Sequence, residues 1–151
     1  MRIGVISDTH GLMRPEALAA LAGSELIIHA GDVGPESILE ALRAIAPVVA
    51  VRGNVDRSGP AAALPETEVV SAGRRSIYVL HDLHQLDLDP RAAGFSVVIS
   101  GHTHMPLAER RGGVLYLNPG SAGPRRFKLP ISLAKLVVGE DAVEHELVTL
   151  G

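Results

Sequence analysis

The stretch Phe95-Ser96-Val97-Val98-Ile99-Ser100-Gly101-His102-Thr103-His104 reads as a buried strand that stops abruptly at two imidazoles. Val and Ile suit an enclosed, pleated segment, and the glycine with its polar neighbours ends it. If the chain stays extended past Ser100, residues two apart point to one side, and His102 and His104 would face a single ligand together. On a helix the same pair would lie about 200° apart at ~3.6 residues per turn and would not share a site. Two neighbouring histidines in a surface loop are also commonly just solvated, so the rest of the chain has to decide between ligand and loop.

Working outward, the same pattern recurs. Ile3 to Ser7 is a short β-rich run that ends at Asp8-Thr9-His10-Gly11, and Pro15 opens a helical stretch from Glu16 to Ala22 that Gly23 can close. Leu26 to Ala30 breaks at Gly31-Asp32. Pro35 then begins a helix running to about Ala46, with Ile38, Leu39, Leu42 and Ile45 at helical spacing. Val48 to Val51 stops at Arg52-Gly53-Asn54-Val55-Asp56, and Arg57 to Pro65 is a Gly, Pro and Ala rich loop. Val69-Val70 and Ile77 to Leu80 form a hairpin across Gly73-Arg74-Arg75, and its second strand ends at His81-Asp82. Asp89 to Gly94 has room for a short helix. Downstream, Val114 to Leu117 follows a Gly112-Gly113 turn and runs into Asn118-Pro119-Gly120-Ser121. Ser132 to Val138 and Ala142 to Val148 are the last two strands.

The front half alternates strand and helix, as parallel strands require, and the back half is mostly strands and turns. This predicts a mixed α/β sandwich whose parallel strands are apolar throughout because both of their faces are buried. No repeat or linker divides residues 1–151, and the length suits one domain.

Composition narrows the function. Hydrophobic residues make up 46% and charged residues 21%, an ordinary soluble globular balance. No apolar stretch approaches the ~18 residues of a membrane span, so no membrane partner is expected. The N-terminus lacks the pattern of a signal peptide, which predicts a cytoplasmic protein. With no cysteine there can be no disulfide, thiolate zinc site or cysteine nucleophile, and any metal must be held by nitrogen and oxygen. A net charge of −3 and only 3% aromatics disfavour long nucleic acid as a partner. Arg125, Arg126 and Lys128 could still contact a single phosphate, or form a solvated face. Nothing in the composition forbids a homo-oligomer.

Five apolar runs thus end in Asp8/His10, Asp32, Asn54, His81 and His102/His104. Ligands of open α/β sheets bind beyond the carboxyl ends of strands, so these side chains share one rim. Each alone has an ordinary reading as a cap, turn or strand-end residue. Together, the seven exceed the needs of one tetrahedral site and suit two divalent cations sharing a bridging carboxylate. Two such cations ~3.5–4 Å apart can hold a hydroxide nucleophile and clamp a phosphoryl group for in-line attack.

As an ordered set, Asp8-Thr9-His10, Gly31-Asp32, Gly53-Asn54, His81 and Gly101-His102-Thr103-His104 resembles the signature of the calcineurin-like metallophosphoesterases. The compact single-domain form resembles their small phosphodiesterase branch, which includes metal-poor relatives that serve as retromer-subunit scaffolds. The resemblance implies a four-layer αββα sandwich, two mixed β-sheets flanked by helices, with a dinuclear centre. By position, Asp8, His10, Asp32 and His104 would hold one metal, and Asp32, Asn54, His81 and His102 the other. Asp32, Asn54 and His102 are the residues expected to carry catalysis. Manganese is the first expectation, with Fe, Zn, Ni or Co as alternatives. Arg57, Arg125 and Arg126 are expected substrate contacts. His29 is expected behind the ligands, Asp56 as a residue orienting Asn54 or a water, and His145 as structural or exposed.

Two departures stand out. Val55 occupies the position where many relatives carry a leaving-group histidine, which leaves water or another group such as Asp56 to supply the proton. Asp82 follows His81 where glycine is common. The expected function is hydrolysis of a small phosphate ester by a metal-dependent phosphodiesterase or phosphatase. The alternative is a non-catalytic interaction scaffold on the same fold.

Overall fold

The computed structural model describes all of residues 1–151. The ten strands are β1 (Arg2–Ile6), β2 (Leu26–His29), β3 (Val48–Ala50), β4 (Thr67–Ala72), β5 (Arg75–Leu80), β6 (Phe95–Ile99), β7 (Leu107–Arg111), β8 (Val114–Asn118), β9 (Ser132–Val138) and β10 (Val143–Thr149). The two α-helices are α1 (Pro15–Leu21) and α2 (Glu36–Arg43), and single 3-10 turns cover Pro60–Ala63 and Leu83–Gln85. Strands β10-β9-β1-β2-β3 form sheet I, and β4-β5-β6-β8-β7 form sheet II. Each sheet has a parallel trio, β1, β2 and β3 in one and β5, β6 and β8 in the other, with antiparallel strands added outside it.

Side-chain alternation sorts the apolar residues into layers. Ile3, Val5 and Ile28 of sheet I meet Ile77, Val79, Val97, Ile99, Leu115 and Leu117 of sheet II in the central layer. On the opposite face of sheet I, Ile6, Ile27 and Leu133 pack against Leu21 of α1 and Ile38, Leu39 and Leu42 of α2. Parallel strands enclosed on both sides explain why their sequences are apolar throughout.

The sandwich agrees with the sequence reading, but its outer layers are unequal. Both helices cover sheet I. The outer face of sheet II, with Tyr78, Leu80, Val98 and Val114, is covered by Leu83, Leu86 and Leu88 of the segment after β5, which contains a 3-10 turn and no α-helix. Asp89 to Gly94 is accordingly a hydrogen-bonded turn, closed by Ala93 N–H donating to Asp89 C=O at 3.0 Å. Helix α2 stops at Arg43 rather than near Ala46, and the Arg57 to Pro65 loop contains a short 3-10 turn. Strand β7 has no counterpart in the sequence reading. Its Glu109-Arg110-Arg111 is a charged edge that pairs with the apolar β8. No helix is long and apolar enough to cross a membrane.

Candidate metal centre

The carboxyl ends of the two parallel trios converge. Asp8 and His10 follow β1, Asp32 follows β2 and Asn54 follows β3, while His81 follows β5 and His102 and His104 follow β6. The chain at these ends is not extended. Asp8, His10, Asp32, His102 and His104 have φ of 56°, 45°, 57°, 73° and 63°, so five of the six non-glycine residues in the left-handed region belong to this one site. That corrects the expectation of an extended Gly101 to His104. Asp and His tolerate this conformation better than most residues, yet each instance still costs about 1–3 kcal/mol that the surrounding packing must offset.

The side chains fall into two contiguous groups. Asp8, His10 and His104 bring one ligand atom each within 4.8 Å of one another, and so do Asp32, His81 and His102. His104 therefore stands with the first group and His102 with the second. His10 Nε2 lies 3.6 Å from both Asp8 Oδ1 and Asp32 Oδ2, and His81 Nε2 lies 3.1 Å from Asp32 Oδ2, so the Asp32 carboxylate reaches into both. Asn54 Oδ1 is 3.0 Å from His81 Nε2 and 3.2 Å from His102 Nδ1.

The donor chemistry calls for positive charge. His81 Nδ1 lies 2.6 Å from the Ala30 carbonyl oxygen, which can only accept, so Nδ1 carries the proton. In the neutral ring, Nε2 then points a lone pair at oxygens of Asn54, Asp32 and, at 3.9 Å, Asp8. Only a proton or a metal cation makes that arrangement attractive. Three buried atoms of the first group, Asp8 Oδ1, His10 Nε2 and His104 Nδ1, have no hydrogen-bond partner. Asp8 Oδ1 and His10 Nε2 stand 3.6 Å apart and His104 turns its other nitrogen, Nε2, to Asp8 Oδ1 at 3.3 Å, so nitrogen and oxygen donors without sulfur converge here and fit divalent cations of the Mn to Zn series.

The titration behaviour agrees. Burial acts to raise the Asp8 pKa, but the imidazoles of His10 and His104, the charge of His81 and the Ser7 hydroxyl outweigh it and hold the carboxyl well below the usual range. Asp32 is likewise lowered: burial opposes, while His81 and the Val55 N–H prevail. His10 is raised by its contact with Asp8 against the effect of burial. His81 is raised as well, its burial outweighed by Asp32, Asp8 and the Ala30 carbonyl.

Surrounding groups fix these donors. Ser7 Oγ donates to Asp8 Oδ2 at 2.7 Å and the His102 N–H donates to the same oxygen at 3.0 Å, which leaves Oδ1 facing the histidines. Asn118 Nδ2 donates to the Gly101 carbonyl and to Thr103 Oγ1, and Ser121 Oγ donates to the Asp8 carbonyl. Glycine is required where the two sheets meet, because a Cβ at Gly101 would collide with Ser7 and Asp8, and again between the ends of β2 and β3, where one at Gly53 would collide with Asp32. His29 sits behind the site and is fully buried. Its Nδ1 accepts the Gly31 N–H, so Nε2–H donates to Thr9 Oγ1, which in turn donates to the Val33 carbonyl.

Burial pushes the His29 pKa down from 6.5 to about 4. The unfolded chain takes up this proton near pH 6.5 and the folded one refuses it, so His29 costs stability as the pH falls through that interval. At about 1.4 kcal/mol per pH unit this amounts to on the order of 3 kcal/mol. Thermal melts of the chelated protein from pH 7 to 4, compared with His29→Gln, should show the wild type losing more. Equal slopes would refute it.

Beside the second group opens a cavity of about 650 Å³ whose lining includes Arg52, Asn54, Arg57, Tyr78, His81, Asp82, Asp87 and His102. Arg57 lies on this cavity and donates to the Asn54 carbonyl at 3.1 Å. Arg125 and Arg126 do not line it; both are exposed, and Arg126 lies near enough to His10 to oppose its protonation. Arg52, adjacent to Gly53, was missed by the sequence reading, although its position on the same strand end could have indicated it. It pairs with Glu66 across the cavity wall. Val55 is 48% exposed, does not line the cavity and offers no proton. Asp82 caps the following 3-10 turn by accepting the His84 N–H, and its other oxygen stands 3.9 Å from His102 Nε2. His84 and His145 are exposed and outside both groups.

Similarity to known proteins points the same way. Residues 1–141 match the calcineurin-like phosphoesterase superfamily domain. A probable metallophosphoesterase of Methanocaldococcus jannaschii is 39% identical over 99% of this chain and 82% of its own length. The phosphodiesterase YfcE of Escherichia coli is 29% identical over 90% of this chain and 87% of its own. Among solved structures, a zinc complex of Vps29 from Entamoeba histolytica superposes with a TM-score of 0.76 at 26% identity over the full length of both chains. The strand-end carboxylates and imidazoles are therefore those of a family member, and the chain belongs to the calcineurin-like phosphoesterase superfamily.

Proposed function

We propose that this protein is a binuclear, divalent-metal-dependent phosphodiesterase acting on a small phosphate ester. The observation that carries the reading is the set of unpaired donors: Asp8 Oδ1 has three imidazole nitrogens 3.3–3.9 Å away and no hydrogen bond. Asp8, His10, Asp32 and His104 would hold one cation, and Asp32, Asn54, His81 and His102 the other, with manganese as the first candidate. Bound there, the two cations would lower the pKa of a water to supply the nucleophile and would neutralise charge developing on the phosphoryl oxygens.

The chain's own residues do the rest. Asp32 spans both groups and sets their separation. The Asn54 and His102 side chains border the cavity, where they would orient a phosphoryl group. The Arg57 guanidinium, on the same cavity, would bind its negative charge. With valine at position 55 and the Asp56 carboxylate occupied by main-chain donors, no side chain is positioned as the usual proton donor, so esters with good leaving groups should react best. The YfcE name and the M. jannaschii relative support hydrolysis. Val55 and the likeness to Vps29 are what favour an interaction scaffold instead.

Hydrolysis of bis-(p-nitrophenyl) phosphate with Mn²⁺ separates the two readings. Chelator, Asn54→Ala and His102→Ala should each cut turnover about 100-fold or more, because lost metal stabilisation is worth several kcal/mol at 1.36 kcal/mol per tenfold. A wild type that binds no Mn²⁺ and is as inert as its variants would favour the scaffold.

A further inference from the structure

We infer that Asp56, a residue outside both ligand groups, is a positioning residue whose carboxylate clamps the Asp32 loop to the Asn54 loop. The inference builds on the proposed metal centre. Asp56 is 4% exposed. Both of its oxygens accept the Val33 N–H at 3.1 Å, Oδ1 accepts the Gly34 N–H at 3.2 Å and Oδ2 accepts the Gly53 N–H at 3.0 Å. Val33 and Gly34 directly follow Asp32, and Gly53 directly precedes Asn54. One buried anion therefore ties together the backbones that deliver these two side chains to the second group.

The packing around it explains why the tie has to be strong. Strands β2 and β3 are parallel neighbours whose register ends at His29 and Ala50, so Asp32 and Asn54 lie beyond the last paired residues. Without the ladder, the two loops are held to each other by a few hydrogen bonds only: Val51 N–H to the His29 carbonyl, Val55 N–H to Asp32 Oδ1, and the Asp56 bonds. The loops also approach so closely that position 53 has no space for a side chain beside Asp32. Charge-assisted bonds from three amides are about twice as strong as neutral ones and have a fixed geometry. Neither Arg52 nor Arg57 forms an ion pair with Asp56. The oxygens engaged with main-chain amides are also unsuited to proton transfer, which removes Asp56 as the substitute for the histidine missing at position 55.

The clamp acts through Asp32 and Asn54 and touches no substrate, so its signature is a selective one. In full-length Asp56→Asn, the amide group retains the shape but offers one acceptor in place of two and turns N–H against N–H. Calorimetric titration with Mn²⁺ should show the affinity for the cation that would take both Asp32 and Asn54 falling about 10–100-fold, the range for lost partners that orient ligands, and the affinity for the other, which would share Asp32 alone, falling clearly less. Unchanged affinities would overturn the inference. A parallel loss of both, matched by a fall in melting temperature of the metal-free protein, would assign Asp56 a merely structural role and overturn it too.

Amide hydrogen exchange on the chelated wild type provides an arm that needs neither metal nor variant. Val33, Gly34 and Gly53 lie outside the strands, yet their amides should be protected like those of β2. Exchange as fast as at Ser58 would break the clamp idea, whether or not the protein binds Mn²⁺. A wild type without Mn²⁺ binding, on the other hand, counts against the metal centre itself.

Discussion

Asp32→Ala should remove both cations at once and lower turnover about 1,000-fold or more, the largest effect of any single substitution in the site. Its carboxylate faces a histidine of each group, 3.6 Å from His10 and 3.1 Å from His81, whereas Asp8 stands farther from the second group, 3.9 Å from His81. Removing Asn54 takes one oxygen from the second group, whereas removing Asp32 leaves His81 Nε2 and His10 Nε2 without their shared counter-charge. Loss of several kcal/mol at each of two cations, at 1.36 kcal/mol per tenfold, gives the expected size. Elemental analysis of protein dialysed against limiting Mn²⁺ should find no bound metal in Asp32→Ala, while Asn54→Ala keeps close to one equivalent. Two equivalents retained by Asp32→Ala would rule out a bridging role.

The second large effect is on pH. His10 and His81 are held above the ordinary 6.5 by their carboxylate neighbours, so each must give up a proton to bind a cation even near neutrality. Below those raised values, affinity should fall about tenfold per pH unit for each proton displaced. The sign for the metal-free fold is opposite. A raised histidine stabilises fully below the unfolded pKa of about 6.5 and loses that contribution as the pH rises through its folded value. Asp8 and Asp32, held low, stabilise above about pH 4 and lose that contribution as the pH falls. These pairs therefore favour the metal-free fold most between about pH 4 and 6.5, while the gain from added Mn²⁺ should grow above it. His29 acts in the other direction over the same range, so the metal-induced rise in melting temperature is the quantity to measure. A rise that is constant between pH 6 and 8 would contradict the argument.

The strand ends were legible in sequence because two simple signals coincide at each: an apolar run of strand length, then a carboxylate, amide or imidazole beside glycine. The parallel strands of the front half followed from the same runs and the two-sheet layering from the resemblance, whereas the second parallel trio, β5, β6 and β8, is a tertiary pairing that the runs alone do not show. The left-handed backbone at Asp8, His10, Asp32, His102 and His104 was not legible. It is set by contacts from distant segments, such as Asp8 N–H to the Gly31 carbonyl, His10 N–H to the Asp32 carbonyl and His102 N–H to Asp8 Oδ2. Strand β7 escaped because Glu109, Arg110 and Arg111 are polar on both faces, and only pairing with β8 makes them a strand. Arg125 and Arg126 were grouped with Arg57 by charge alone, and the fold separates them from the cavity. Asp56 stood out only as a neighbour of Asn54; that three amides from two loops meet its carboxylate is a tertiary fact.

The seven candidate ligands come from two sheets. Sheet I delivers Asp8, His10, Asp32 and Asn54, and sheet II delivers His81, His102 and His104. Cations bound among them would act as rivets through the seam between the layers, joining segments almost a hundred residues apart in sequence. A fragment containing one sheet could then gain little from metal, since it lacks part of every pairing across the seam. Any motion that slides one layer over the other would loosen the rivet, so the stabilisation conferred by metal would report directly on how well the two layers are docked.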